Sequence, residues 1–128
     1  MAATDWRGSH APAANTRATF TQAAPGAGYR NVLTGFTVIL AAGATAPVAA
    51  TVTVAVIDGV SGATSYIDGP HAMSIPAIAG AMSGVTRSGL DKRGSANTAT
   101  TIEFSAAGGA NTLESVSIEG TVVRSVES

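Results

Sequence analysis

The sequence predicts an all-β fold, a single β-sandwich with the jelly roll as its preferred topology, and three observations carry this. Apolar and polar residues alternate with a period of two in one segment after another. Turns rich in Gly, Pro and Asn separate those segments. No segment shows the i, i+3, i+4, i+7 apolar stripe of a helix. The expected framework is seven or eight short antiparallel strands, roughly 8 to 15 residues apart, as sandwiches and barrels require.

Taken in order, residues 1 to 16 (MAATDWRGSHAPAANT) have no strand pattern and read as an extended N-terminal arm before a sandwich domain at 17 to 128. Asp5, Arg7 and His10 stand where a signal peptide would need an apolar core. Trp6, the sole tryptophan, is an aromatic of the kind that anchors an arm to a neighbouring chain. The first strand is RATFTQ, where Ala18 and Phe20 alternate with Thr19 and Thr21, and the stretch from Ala24 to Gly28 ends it.

The next segment is free of charge from Asn31 to Ile57, long enough to raise the possibility of a membrane span. Gly43, Thr45, Pro47, Thr51 and Thr53 interrupt its apolar character, and Pro47 in AAGATAP would break a helix. It reads instead as two strands. In the first, Val32, Phe36, Val38 and Leu40 share one face with Thr34, opposite Leu33, Gly35, Thr37 and Ile39. In the second, Val52, Val54 and Val56 alternate with Thr51, Thr53 and Ala55, a β-branched pattern suited to a half-buried pleat. Asp58-Gly59 is a turn dipeptide that ends it.

Shorter candidates follow in TSYID, AMSIPA and GVTRS. TTIEFS sets Ile102 and Phe104 against Thr101, Glu103 and Ser105, and AAGGAN turns the chain. The last strand alternates Val116, Ile118 and Val122 with Ser115, Ser117, Glu119 and Thr121, with Gly120 in phase with the apolar set. LAAGATAP (40 to 47) and SAAGGANT (105 to 112) echo each other, either as a duplicated hairpin or as two loops drawn from one small-residue vocabulary.

Composition narrows function. The 128 residues suit one domain, and charged residues make up 12%, about half the usual share. Seven basic against eight acidic side chains give a net charge of −1, without the basic patch that nucleic-acid binding needs. There is no cysteine, which removes disulfides, thiolate nucleophiles and Cys-ligated zinc. His10 and His71 read as solvated loop residues, outside any metal-binding motif. G-x-S-x-G and the phosphate-loop motif are absent.

Glu103, Glu114 and Glu119 could form a glycosidase pair if their strands met, but alternation puts Glu103 and Glu119 on polar faces. Asp58 and Asp68 read as turn residues closing a hairpin around GVSGATSYI. Arg87, Asp91, Lys92 and Arg93 are the one local concentration of charge, either a solvated loop or a contact to a partner. No catalytic residue, cofactor or metal is expected. Scarce charge leaves little repulsion between copies and favours assembly.

HAPAANTRATFTQ, GYRNVLTGFTVILAAGATAP, VTVAVIDG and TTIEFSAAGGANTLESVSIEGTVV together resemble a group of small bacteriophage virion proteins, over roughly residues 10 to 124. That resemblance implies a jelly-roll capsid decoration or cement protein, a homotrimer on the outer capsid surface of the virion, made in the host cytoplasm. It would bind the major capsid protein lattice without catalysis, with neither nucleic acid nor membrane as partner. The expected contact residues are Trp6, Arg7, His10, Arg87, Lys92 and Arg93. The alternative is a receptor- or glycan-binding module of a tail or fibre acting through loops such as 59 to 70 or 86 to 98, and an enzyme is the third possibility.

Overall fold

A computed structural model describes residues 4 to 125. Its strands are β1 (Thr4–His10), β2 (Thr19–Gln22), β3 (Tyr29–Ala42), β4 (Ala50–Asp58), β5 (Tyr66–Ile75), β6 (Met82–Arg87), β7 (Lys92–Arg93), β8 (Thr100–Phe104) and β9 (Thr112–Arg124). One sheet has the order β1-β9-β3-β6, with two-residue β7 also on β3; the facing sheet has the order β2-β8-β4-β5. All pairs are antiparallel. The pairs β1·β9, β2·β8, β3·β6 and β4·β5 nest inside one another, as if one long hairpin had been rolled up. That is the jelly roll, and the predicted sandwich stands.

The core lies between the sheets. Leu33, Phe36, Val38 and Leu40 of β3, Val116 and Ile118 of β9 and Trp6 of β1 face Val52, Val54 and Val56 of β4, Met73 and Ile75 of β5, and Ile102 and Phe104 of β8. Burying each such side chain stabilises the fold by about 1.5 to 3 kcal/mol. The threonine faces of β3 and β4 turn outward: Thr51 is exposed, Thr37 and Thr53 half-buried.

Three expectations need correction. Residues 4 to 10 are not part of a free arm: they are edge strand β1, in register with β9 from Thr4↔Val122 to His10↔Val116. The inward positions are Trp6, Gly8 and His10, and a Cβ at Gly8 would overlap the Phe20 ring from β2. A strand whose central inward residue must be glycine shows no hydropathy alternation. In β3, the register shifts between Leu33 and Gly35, so Thr34 is an extra residue and Leu33, fully buried, joins the inner face in place of Val32. Val32 is buried on the outer side, where β7 pairs with it.

TSYID and AMSIPA, expected as separate pieces, are one edge strand, β5, which passes through Gly69 (φ 101°) and Pro70. A proline is tolerated there because an edge strand has one side without ladder partners. The register with β4 slips on the way, from Val56↔Asp68 to Val54↔His71, so β5 carries one residue more than β4 over this stretch. The two echoing loops lie side by side: Gly43 N–H donates to the Asn111 carbonyl at 3.3 Å, and Asn111 Nδ2 to the Ala46 carbonyl at 3.5 Å.

Candidate functional site

The extra residue in β5 decides where the ionisable groups go. In a regular strand, residues three apart point to opposite faces. The slip makes Asp68 and His71 both point into the sandwich, level with inward Val56 and Val54. Asp68, its side chain only 2% exposed, receives the His71 Nε2 proton on Oδ1 at 2.6 Å. Lys92 Nζ lies 3.1 Å and Arg87 Nη2 3.9 Å from Oδ2. The His71 ring stands by Phe36, with centroids 6.0 Å apart.

Asp68 and His71 are therefore not solvated turn residues. The cluster joins β5, at the edge of one sheet, to β6 and β7 at the neighbouring edge of the other. Burial of the Asp68 carboxyl pushes its pKa up, but the hydrogen bonds from His71 and Lys92 and the charges of Lys92 and Arg87 outweigh this and hold it below the ordinary range. A carboxylate–imidazole pair can orient a base for a nucleophile. Here the pair is closed in by cations, and no serine or threonine hydroxyl among the described residues bonds to the imidazole. Its chemistry is that of an electrostatic lock between sheet edges.

The predicted contact residues are only partly brought together: Arg7 and Arg87 line one outer-face pocket of about 260 Å³ and Arg87 and Lys92 meet at Asp68, while Trp6, His10 and Arg93 have other partners. Trp6 is 8% exposed and its Nε1–H donates to the Thr121 carbonyl at 3.2 Å, so it belongs to the core and is no free anchor. Arg7 is on the outer face, 3.8 Å from Glu119. His10 Nδ1 accepts the Thr19 N–H at 3.1 Å and ties β1 to β2. Arg87 and Lys92 turn to Asp68, while Arg93 Nε lies 3.9 Å from Asp91.

The glutamates occupy three different layers. Glu119 faces outward from one sheet, level with Arg7 and Gly35. Glu114 points into the core, 1% exposed, with Oε1 accepting the Ala18 N–H at 2.9 Å. Its pKa is raised because burial outweighs that hydrogen bond and the charge of Arg17. Glu103 points outward from the other sheet. Glu103 and Glu119 thus lie on the outer faces of different sheets and do not form the facing pair of a two-carboxylate site, and Glu114 is enclosed in the core.

Glu103 is nonetheless 8% exposed, because the loop 59 to 65 folds back over its sheet. Asp58 N–H donates to the Ser65 carbonyl at 2.9 Å, the Thr101 hydroxyl to the Gly59 carbonyl at 2.9 Å, and Arg17 Nη2 to Ser61 Oγ at 3.4 Å. Beneath this loop lies a cavity of about 160 Å³, with Ala55 and Ile57 on the floor and Thr53, Thr64, Tyr66, Pro70, Glu103 and Ser105 around it.

One end of the sandwich carries no charge in three of its loops, and the fourth, 11–18, carries the single charge of Arg17, whose side chain turns to Ser61. Loops 43–49, 76–81 and 105–111 contain no Asp, Glu, Lys, Arg or His. Gly43 ties them together: its carbonyl accepts the Gly80 N–H at 3.0 Å while its own N–H reaches Asn111. Val48 (75% exposed), Ile78 (61%) and Met82 (70%) project here, and Met82 and Leu113 flank Ala41 in one row of the outer face. An open cleft of about 410 Å³ lies between Ala49–Thr51 and Ser74–Pro76. At the opposite end stand Arg30, Asp58, Asp91, Lys92 and Arg93.

Among the described residues no helix is long and apolar enough to cross a membrane, and no group of three His, Cys, Asp or Glu could hold a metal. Comparisons with protein-family models, with curated proteins and with solved structures gave no match.

Proposed function

We propose that this protein is a non-enzymatic bacteriophage structural protein that decorates the capsid, with its uncharged end seated on the major capsid protein lattice and copies associating as a homotrimer on the outer surface. The observation that carries this reading is the polarity of the sandwich. An interface core favours exposed apolar side chains and few charges, because an unpaired ion is costly to desolvate. Loops 43–49, 76–81 and 105–111, with the first residue of β6, offer Val48, Ile78 and Met82 and contain no ionisable side chain. A contact of roughly 1,600 Å² gives a specific interface, and repetition over a shell multiplies modest affinities.

The test is co-sedimentation of the purified protein with capsids that lack it. Saturable binding, lost in Ile78→Asp and Met82→Glu variants that keep the wild-type melting temperature, is the expected result. A chain that ignores assembled capsids at micromolar concentration overturns the reading. Sedimentation equilibrium of the free protein tests the trimer.

A further inference from the structure

We infer that the cavity beneath the loop 59 to 65 is a binding site for one hydroxylated ring of the sugar type. Its volume, about 160 Å³, lies below the ~300 Å³ at which pockets for drug-sized ligands begin, so it takes a single ring and not a chain.

The lining has two kinds of surface. Tyr66, half exposed at 49%, with Pro70, Ala55 and Ile57, gives an aromatic and aliphatic wall. Glu103 with the hydroxyl residues Thr53, Thr64 and Ser105 gives the polar rim. A sugar ring has a C–H face that packs on an aromatic and an edge of hydroxyls that both donate and accept, so it matches both surfaces at once.

Glu103 makes the site more than a surface dimple. Glu103 as a residue is more than nine-tenths buried, Oε1 takes the Thr19 hydroxyl at 3.2 Å, and Oε2 stays accessible, with no hydrogen-bond partner among the described residues. An accessible carboxylate oxygen is a strong acceptor, and a ligand hydroxyl can donate to it in place of water. Glu103 is also the sole charged residue of the lining, so phosphates and other anions are repelled. A simple amine would satisfy the carboxylate but leave the aromatic wall and the hydroxyls unused.

The cavity is also held open by built-in contacts. Gly62, at φ 91°, lets the loop turn back over the sheet; Thr101 and Arg17 bond its first half at Gly59 and Ser61, and Asp58 N–H holds its far end at Ser65. Thr101 receives a hydrogen bond from the Thr21 hydroxyl at 2.9 Å while donating to Gly59, so the strand surface itself supports the loop.

The experiment is a titration of the ¹⁵N-labelled full chain, followed by amide chemical shifts, with methyl glycosides of glucose, galactose and mannose and with N-acetylglucosamine. At least one sugar is expected to give saturable shifts centred on Thr53, Gly62, Ala63, Tyr66 and Ser105, with a millimolar dissociation constant. Tyr66→Ala and Glu103→Gln, each checked for an unchanged overall spectrum, should weaken it by about tenfold or more. Glu103→Gln keeps an acceptor for Thr19, so its effect reports the charge facing the cavity. Met82→Glu, at the uncharged end, should leave sugar binding intact, which separates failure of this site from failure of the capsid reading. No saturable shift with any sugar up to 100-fold the protein concentration and beyond into the tens of millimolar, shifts that persist in both variants, or equal binding of methylamine overturns the inference.

Discussion

Trp6 occupies the space that a side chain at Gly120 would need. The two residues are register partners on β1 and β9, and a Cβ at position 120 would overlap both the indole and the Val32 carbonyl. The indole, on edge strand β1, closes the core beside β9 and donates to the Thr121 carbonyl. Trp6→Ala should therefore destabilise the fold by about 3 to 5 kcal/mol, and Gly120→Ala by about 2 kcal/mol through overpacking. Deletion of residues 1 to 14 removes β1 altogether and should lower the melting temperature by well over ten degrees. Thermal denaturation of the three variants checks this, and unchanged melting of the deletion would mean that β1 contributes nothing to stability.

The lock at Asp68 predicts an acid-sensitive increment of stability. Because its pKa in the fold is lowered, the carboxylate contributes fully above the ordinary Asp value of 3.8, and the contribution is lost as the pH falls below it. Asp68→Asn keeps the shape but loses the charge that His71, Lys92 and Arg87 face. We expect it to cost about 2 kcal/mol at pH 7, as loss of a charged hydrogen bond does, and progressively less as the pH falls below 3.8. Urea denaturation of wild type and variant at pH 7, 4 and 3 gives the difference directly. A difference independent of pH would show that the charge is not what stabilises the edge.

These two relationships also show how much was legible in the sequence. Val52, Val54 and Val56, or Ile102 and Phe104, lie in unbroken pleats, so their alternation with Thr and Ser predicts which face is buried. Where a strand gains a residue, the phase inverts, and nothing in side-chain polarity marks the place. Thr34 moves Leu33 inward for that reason, and the extra residue in β5 carries Asp68 and His71 from a supposed turn to the interior. β1 stayed hidden because Gly8 must make room for Phe20. Arg87 and Lys92 stood out as a charged cluster, but their partner lies on a strand that their own spacing says nothing about. The alternation of TTIEFS puts Glu103 on an outward face, where it lies; its burial depends on the loop 59 to 65, whose Gly-Val-Ser-Gly-Ala-Thr run has no period that would predict what it covers.

Glu114 should behave oppositely to Asp68. Burial raises its pKa, so the folded state holds its proton more tightly than the unfolded chain does, and stability declines as the pH rises from the ordinary value of 4.5 through the raised one. Glu114→Gln retains an oxygen for the Ala18 N–H and removes the ionisation. The variant should melt at a higher temperature than wild type at pH 7 and show no gain at pH 4. Melting curves at the two pH values decide it, and a lower melting temperature at pH 7 would mean that the ionised carboxylate is better solvated inside the fold than its burial implies.

Packing of the two echoing loops yields a last prediction, on the uncharged end. Asn111 has φ 63° and donates through Nδ2 to Ala46, while its carbonyl accepts from Gly43, whose own carbonyl accepts from Gly80. One residue in a left-handed conformation thereby sets the relative heights of loops 43–49, 76–81 and 105–111, and with them the spacing of Val48 and Ile78. Asn111→Gly keeps the backbone conformation and loses only the side-chain bond, so its effect on stability should be small, about 1 kcal/mol or less. Asn111→Val opposes the left-handed backbone and should cost more, about 1 to 3 kcal/mol. If the uncharged end is the face that meets the capsid, Asn111→Val should weaken capsid co-sedimentation more than Asn111→Gly at a temperature where both remain folded. Equal binding by the two variants would mean that the arrangement of these loops does not govern the contact.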